Sequence, residues 1–327
     1  MRQSQWTDQG IVLREVEPPS LEPGWVRLKV AACGICGSDL HRYRHPTSGL
    51  TPGHEVVGTI SQASRHMPDA LHAIEPWLAC GACELCLAGQ RQLCSHGRLL
   101  GMSVPGGLAD YVDSPETELH AMDHSLTPTV ASMVEPLAVA TRAIHRAQLK
   151  LDSRVLVLGA GTIGLLLGLV ARDSGGRVAI VTRHPHQSRI AGELGLEPVS
   201  EADAEAFAAD LQPDVVFESV GGQARTIEQA LQAVRPSGRV VVLGLFSGPS
   251  QLDTRALLMK EVILTGSRVY GIGDNGHEFA AAARRVPRYQ RELTLLQTHQ
   301  FPLAELPAAF AAAADKSTRA VKVTVLP

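Results

Sequence analysis

Cys80, Cys83, Cys86 and Cys94 stand at the spacing C-x2-C-x2-C-x7-C. Four thiolates from one short segment can close a tetrahedron around zinc, with sulfur at every corner and no position left for a substrate. A chain that does this folds a lobe around a structural metal. The alternatives are two disulfides or four unrelated buried thiols. Only two other cysteines, Cys33 and Cys36, occur in the chain, and four clustered within fifteen residues favour the metal lobe.

The 327 residues exceed what one core usually supports, so two domains are expected. A net charge of -3, with 45% hydrophobic and 19% charged residues, suggests neither a nucleic-acid surface nor an acidic tail. The start, Met1 to Gly10, is polar, and the longest apolar stretch, around Leu165 to Ala171, is too short to span a bilayer. A cytoplasmic protein without nucleic-acid or membrane partners is expected, in a reducing compartment where thiolate ligands persist.

The first third alternates short β-type runs with turn residues: Trp25 to Ala32, Val56 to Ile60 and Leu108 to Val112. This pattern suits a small, irregular β-barrel. From about Glu135 the texture changes. Leu137 to Leu149 reads as a helix, Val155 to Leu158 as a buried strand, and Ile163 to Asp173 as an apolar helix. The runs Val178 to Thr182, Val215 to Phe217, Val240 to Leu243 and Val262 to Thr265 then alternate with helical stretches such as Ile190 to Leu194 and Ile227 to Val234. Such alternation predicts a doubly wound parallel sheet, hence an α/β fold. The tail ends in a helix, Ala308 to Ala314, and a last strand, Ala320 to Leu326, able to return to the first domain.

Gly159-Ala160-Gly161-Thr162-Ile163-Gly164 is a G-x-G-x-x-G directly after a strand and opening a helix. Gly159 can make the tight turn, Gly161 can let backbone N–H groups approach a pyrophosphate, and Gly164 can let helix and strand pack closely. The helix N-terminus favours the phosphate charge. A dinucleotide is therefore the expected cofactor. The carboxylate that would bind the ribose hydroxyls of NAD, about 20 residues further on, is missing: the second strand runs into Thr182-Arg183-His184. Arg183 offers a planar cation suited to a 2′-phosphate, with His184, His186 and Arg189 adding positive potential, which favours NADP over NAD. In the alternative, Arg183 is solvated and NAD binds through Thr182 and backbone groups.

A second ligand-rich constellation lies earlier: Cys36-Gly37-Ser38-Asp39-Leu40-His41, then Gly53-His54-Glu55, and later Glu135-Pro136-Leu137. Cysteine, histidine and glutamate all ligate zinc, and three protein ligands with an open position make a catalytic site. Read singly each is ambiguous, since Glu135 can simply stabilise a helix start.

Taken in order, Cys33-Gly34-Ile35-Cys36-Gly37-Ser38-Asp39, Gly53-His54-Glu55, the four-cysteine lobe, Glu135-Pro136-Leu137-Ala138, the glycine turn, Glu261 to Ser267 and Lys322-Val323-Thr324-Val325 resemble the zinc-dependent medium-chain dehydrogenase/reductase family. The Glu-Pro-Leu at 135 resembles its polyol, glucose and threonine dehydrogenase-like branch. The resemblance implies a chaperonin-10-like (GroES-like) barrel from residues 1–135 and 285–327, carrying the zinc lobe at about 78–97, a Rossmann domain at 136–284, and an active site in the cleft. It implies two zinc ions per chain, with Cys36 and His54 as catalytic-zinc ligands and Glu55 and Glu135 binding directly or through water. It implies that Asp39 accepts the second N–H of His54, that the nicotinamide rests near Ile163, and that Ser38, the cofactor ribose and His41 relay the hydroxylic proton. The activity implied is hydride transfer between a secondary alcohol or polyol, or the matching carbonyl, and a nicotinamide cofactor. A homodimer or homotetramer, paired through the strands near Val262 to Thr265, is implied as well.

The chain departs from this pattern at Ala63 to Glu75, which lacks the usual Gly-Asp-Arg-Val turn, and between Leu40 and Pro52, which is short. Arg42, Arg44 and His45 read as a solvated basic loop, with contact to an anionic or polyhydroxylated substrate as the alternative. A non-catalytic nucleotide-binding protein of the same fold is the competing expectation, and the presence of Cys36, His54, Glu55 and Glu135 weighs against it.

Overall fold

The computed structural model describes residues 1–273 and 276–327. Two compact units partition the chain, one of Met1–Ala138 with Asn275–Pro327 and the other of Val139–Asp274. The return to the first unit comes earlier than the 285 read from sequence. The helix Glu278–Arg285 belongs there because Phe279 packs on His120, ring centroids 4.8 Å apart.

The first unit is built on the strand Trp25–Gly34, in which Val26, Leu28 and Val30 are buried. Glu55–Gln62 and Tyr111–Pro115 pair with it antiparallel, and Leu71–Ile74 and Leu119–Ala121 extend the sheet beyond Glu55–Gln62. The last strand, Lys322–Leu326, does return: Thr324 pairs with Gly34 and Val325 with Cys33. Trp6 meets Phe310 edge to face at 5.2 Å in the core. Leu108 is not in a strand as read from sequence. Its N–H donates to Pro52 and its carbonyl accepts from Ser4, while its side chain fills the core, and the strand proper starts at Tyr111.

The second unit is a six-stranded parallel sheet in the order Glu197–Ser200, Arg177–Thr182, Arg154–Leu158, Val215–Glu218, Arg239–Val242, Ile263–Gly266. The chain leaves the central strand in one direction and then doubles back. In such sheets the ligand site lies where the order reverses, at the carboxyl ends of the strands. Val155, Leu156 and Val157 are all buried, as expected for a strand covered on both faces. Each such side chain contributes about 1.5–3 kcal/mol. Glu197–Ser200 escaped the sequence reading because only Val199 is buried and Pro198 interrupts the run.

Candidate active site

The four-cysteine segment follows the hairpin-forming pair Trp77–Leu78 and precedes its partner Arg98–Leu99. Sγ separations are 3.4 Å for Cys83–Cys86, 3.5 Å for Cys80–Cys94, 3.8 Å for Cys83–Cys94 and 3.9 Å for Cys80–Cys86. Zinc–sulfur bonds of about 2.3 Å require tetrahedron edges of about 3.8 Å, so the thiols stand where a zinc ion needs them. None forms a disulfide. Backbone N–H groups of Ala82 and Cys83 face the Cys80 sulfur and lower its pKa to about 6, which favours the thiolate a metal needs.

The second constellation also assembles. Cys36 follows the strand Trp25–Gly34 and caps the helix Gly37–Arg44. Gly34 pairs with Glu55 at the start of the next strand, which brings Glu55 and His54 beside Cys36. A Cβ on Gly34 would collide with Glu55 Oε2, so glycine leaves room for that carboxylate. The ligand atoms of Cys36, His54 and Glu55 lie within 4.8 Å of one another. His54 and Glu55 are buried, and His54 Nδ1 has no hydrogen-bond partner. A thiol, an imidazole and a carboxylate converging in one place form a donor set that fits zinc.

Glu135, in the first turn of the helix Val134–Ala147, is buried and lies outside that tight group of three. Burial pushes its pKa up to about 7, with Glu55 and Asp39 adding and His54 and Lys322 opposing. Burial alone would lower the His54 pKa, yet Cys36 and Asp39 overcome it and hold the imidazole well above its usual range. Lys322, from the C-terminal strand, is buried and forms an ion pair with Glu55 Oε2. One expected contact differs. Asp39 Oδ1 stands 3.9 Å from His54 Nδ1, too far for a hydrogen bond. Asp39 Oδ2 instead accepts the Cys36 N–H at 3.0 Å, because Asp39 sits at the third position of the helix that Cys36 caps. Ser38 is half-buried and His41 exposed on this helix. Arg42 donates to Thr47 Oγ1 and to the Ser48 carbonyl, within its own loop.

In the second unit the glycine turn joins Arg154–Leu158 to the helix Thr162–Asp173, which Gly161 caps. Gly159 has φ +99°, a backbone conformation other residues resist. A Cβ on Gly164 would collide with the Gly159 carbonyl, whereas one on Gly161 would meet nothing within 4 Å. The turn is thus tight underneath and open above, a cradle a phosphate can approach. Thr162 and Ile163 start the helix and are half-buried.

Thr182 is buried, its hydroxyl 2.8 Å from Ser188 Oγ and 3.2 Å from the Val199 carbonyl that accepts from it. His184 caps the helix Pro185–Glu193 and stacks on His186, centroids 5.6 Å apart. Arg183 is exposed, and its Nε and Nη2 donate to Glu201 at 2.9 and 2.6 Å. Glu201 was not singled out from sequence, because its position beside Arg183 depends on the strand Glu197–Ser200. Glu218 was missed too. It is fully buried and accepts from the Val220 and Gly221 N–H groups at 2.8 and 2.9 Å and from Thr226 Oγ1 at 2.7 Å, setting the loop that follows its strand.

Residues 22–124 match the alcohol dehydrogenase GroES-like domain and residues 162–287 match the zinc-binding dehydrogenase family. A sorbitol dehydrogenase from Halalkalibacterium halodurans is 30% identical over 95% of this chain and 94% of its own. The chain belongs to the zinc-binding dehydrogenase family. It is also similar to a 2-dehydro-3-deoxy-L-galactonate 5-dehydrogenase from Pseudoalteromonas atlantica, 30% identical over 90% of each chain. A zinc-binding dehydrogenase structure from Sinorhizobium meliloti, bound to NADP, superposes with a TM-score of 0.90 at 29% identity, covering 100% of this chain and 99% of that one. The family's two-part architecture, a GroES-like barrel and a Rossmann sheet, is the one described above. No helix among the described residues is long and apolar enough to cross a membrane.

Proposed function

We propose that this chain is a zinc-dependent oxidoreductase that moves a hydride between a secondary alcohol or polyol, or the matching carbonyl, and a nicotinamide dinucleotide. The observation that carries this reading is the convergence of the Cys36, His54 and Glu55 donor atoms within 4.8 Å of one another, in addition to the four-cysteine lobe. A protein that only bound nucleotide would have no use for that second donor set. Zinc held there would supply Lewis acidity toward the oxygen of the alcohol or carbonyl.

The chain's own groups do the rest. Cys36, His54 and Glu55 would hold the metal, with the buried Glu135 a further donor beside them. Asp39 fixes the Cys36 backbone through the 3.0 Å bond. Ser38 and the exposed His41 lie along one helix and carry the hydroxylic proton outward. Gly159, Gly161, Thr162, Ile163 and Gly164 form the dinucleotide cradle.

NADP is favoured over NAD because Arg183 presents a guanidinium at the end of the second strand, with His184 beside it and no carboxylate of its own on that strand. The relatives named for sorbitol and for a deoxygalactonate support a polyhydroxylated substrate. A second copy of the chain is the expected partner, paired along the strand Ile263–Gly266. The deciding experiment follows nicotinamide absorbance with zinc-replete protein, NADP or NAD, and a panel of polyols, sugar acids, amino alcohols and simple secondary alcohols. Turnover with two zinc ions bound is expected. Silence across the panel with only one zinc per chain would falsify the catalytic reading.

A further inference from the structure

Lys322 has no role in the proposed chemistry, yet the fold carries it into the metal site from the far end of the sequence. It is 2% exposed, and its Nζ donates to the Ile35 carbonyl at 3.0 Å and forms an ion pair with Glu55 Oε2. Both partners lie next to ligands: Ile35 precedes Cys36 and Glu55 follows His54. Burying an ammonium is costly, and a structural tie between the last strand and the barrel needs no charge there. The register Thr324 to Gly34 already makes that tie.

We propose that Lys322 is a positioning residue for the metal site: by holding Glu55 Oε2 it keeps one oxygen of that carboxylate from the metal and leaves the ligand shell open. This rests on the reading of Cys36, His54 and Glu55 as zinc ligands. Cys36, Asp39, Glu55 and Glu135 gather potential negative charge around a single dication, and a fully available Glu55 would draw a metal more tightly. It would then fill the position a substrate oxygen needs. Lys322 competes for Glu55 and repels the dication, so the metal is held less tightly and the site stays reactive.

The test needs metal alone. Zinc-replete full-length chain is mixed with a chelating indicator, and release of the zinc that is not held by the four-cysteine lobe is timed. Lys322→Met is expected to slow that release by about tenfold, the lower end of what partners of metal ligands usually contribute. In a Glu55→Gln background the same substitution is expected to slow release much less, since only the direct repulsion of the dication is left to remove. A merely structural lysine would give faster release in both backgrounds, and that result overturns the proposal, as does an unchanged rate in Lys322→Met. Lys322→Gln, which keeps a donor for the Ile35 carbonyl while removing the charge, carries the same expectation if Lys322→Met fails to fold. Wild-type chain with a single zinc overturns the reading of the site itself, and Lys322 with it; two zincs and an unaltered release overturn Lys322 alone.

Discussion

Asp214 shows how single side chains hold the second unit. Its carboxylate accepts from Arg154 Nε at 3.1 Å, from the Arg154 N–H at 2.8 Å and from Arg235 Nε at 2.5 Å. Partial burial works to raise its pKa, but these bonds and charges outweigh burial and hold it well below the usual carboxylate range. A pKa depressed by folding stabilises the fold above the unfolded value of about 4 and loses that effect as pH falls through the folded value. Asp214→Asn is therefore expected to cost about 1–3 kcal/mol at pH 7, with the gap to wild type narrowing toward pH 3. Urea unfolding at the two pH values measures this, and an equal gap at both contradicts it. Glu201 pairs with Arg183, the residue proposed to meet a 2′-phosphate. If Arg183 is the phosphate contact proposed above, its bidentate pair with Glu201 would have to open for a 2′-phosphate to bind. Glu201→Gln is expected to lower the KM for NADP by about two- to fivefold, the worth of an exposed ion pair, and to leave the KM for NAD alone; equal effects on both cofactors count against Arg183 as the phosphate contact. At this scale Cys36, His54 and the four-cysteine lobe were legible because the donors are few and their spacing is local. Glu201, Glu218 and Lys322 were not, because strand neighbours remote in sequence supply their partners.

The glycine turn was the most legible element, since strand, turn and helix are contiguous and each glycine has its own steric reason. Those reasons separate by experiment. A methyl on Gly164 meets the Gly159 carbonyl, so Gly164→Ala is expected to strain the packing of helix on strand and lower the melting temperature by several degrees, as about 1–3 kcal/mol of overpacking does. A methyl on Gly161 meets nothing in the protein. Gly161→Ala is thus expected to melt like wild type while binding dinucleotide about tenfold more weakly, the equivalent of about 1.4 kcal/mol. Thermal melts with and without NADP read both, and a Gly161→Ala chain that binds normally would remove the phosphate from that position. The elements read differently from sequence had different physical causes. Glu197–Ser200 offers one inward side chain, and Leu108 is apolar and buried yet belongs to a loop, so hydrophobicity marked its burial correctly and its conformation wrongly. The helix Glu278–Arg285 went to the wrong unit because its anchor, Phe279 on His120, is a long-range contact.

For the whole molecule, the two open edges of the parallel sheet differ in a way that bears on assembly. The edge strand Glu197–Ser200 carries a charge and a proline, features that discourage pairing with another chain. The opposite edge, Ile263–Gly266, reads Ile-Leu-Thr-Gly with neither, and Ile263 is 48% exposed. Leu258 and Met259, just before it, are 73% and 72% exposed. An uncharged edge with apolar side chains beside it is costly to leave in water and is a template for another strand. A second copy is expected to supply that strand, and a two-fold axis would make the same residues meet on both sides. Light scattering of the zinc-replete protein is expected to give at least twice the chain mass. Ile263→Lys brings two ammonium groups to such a symmetric edge, where their repulsion and desolvation oppose pairing. The variant is expected to run as a single chain that still holds both zinc ions and still binds dinucleotide, since neither site includes that residue. A wild-type protein with the mass of one chain, or an Ile263→Lys variant that keeps the wild-type mass, would place the partner surface elsewhere.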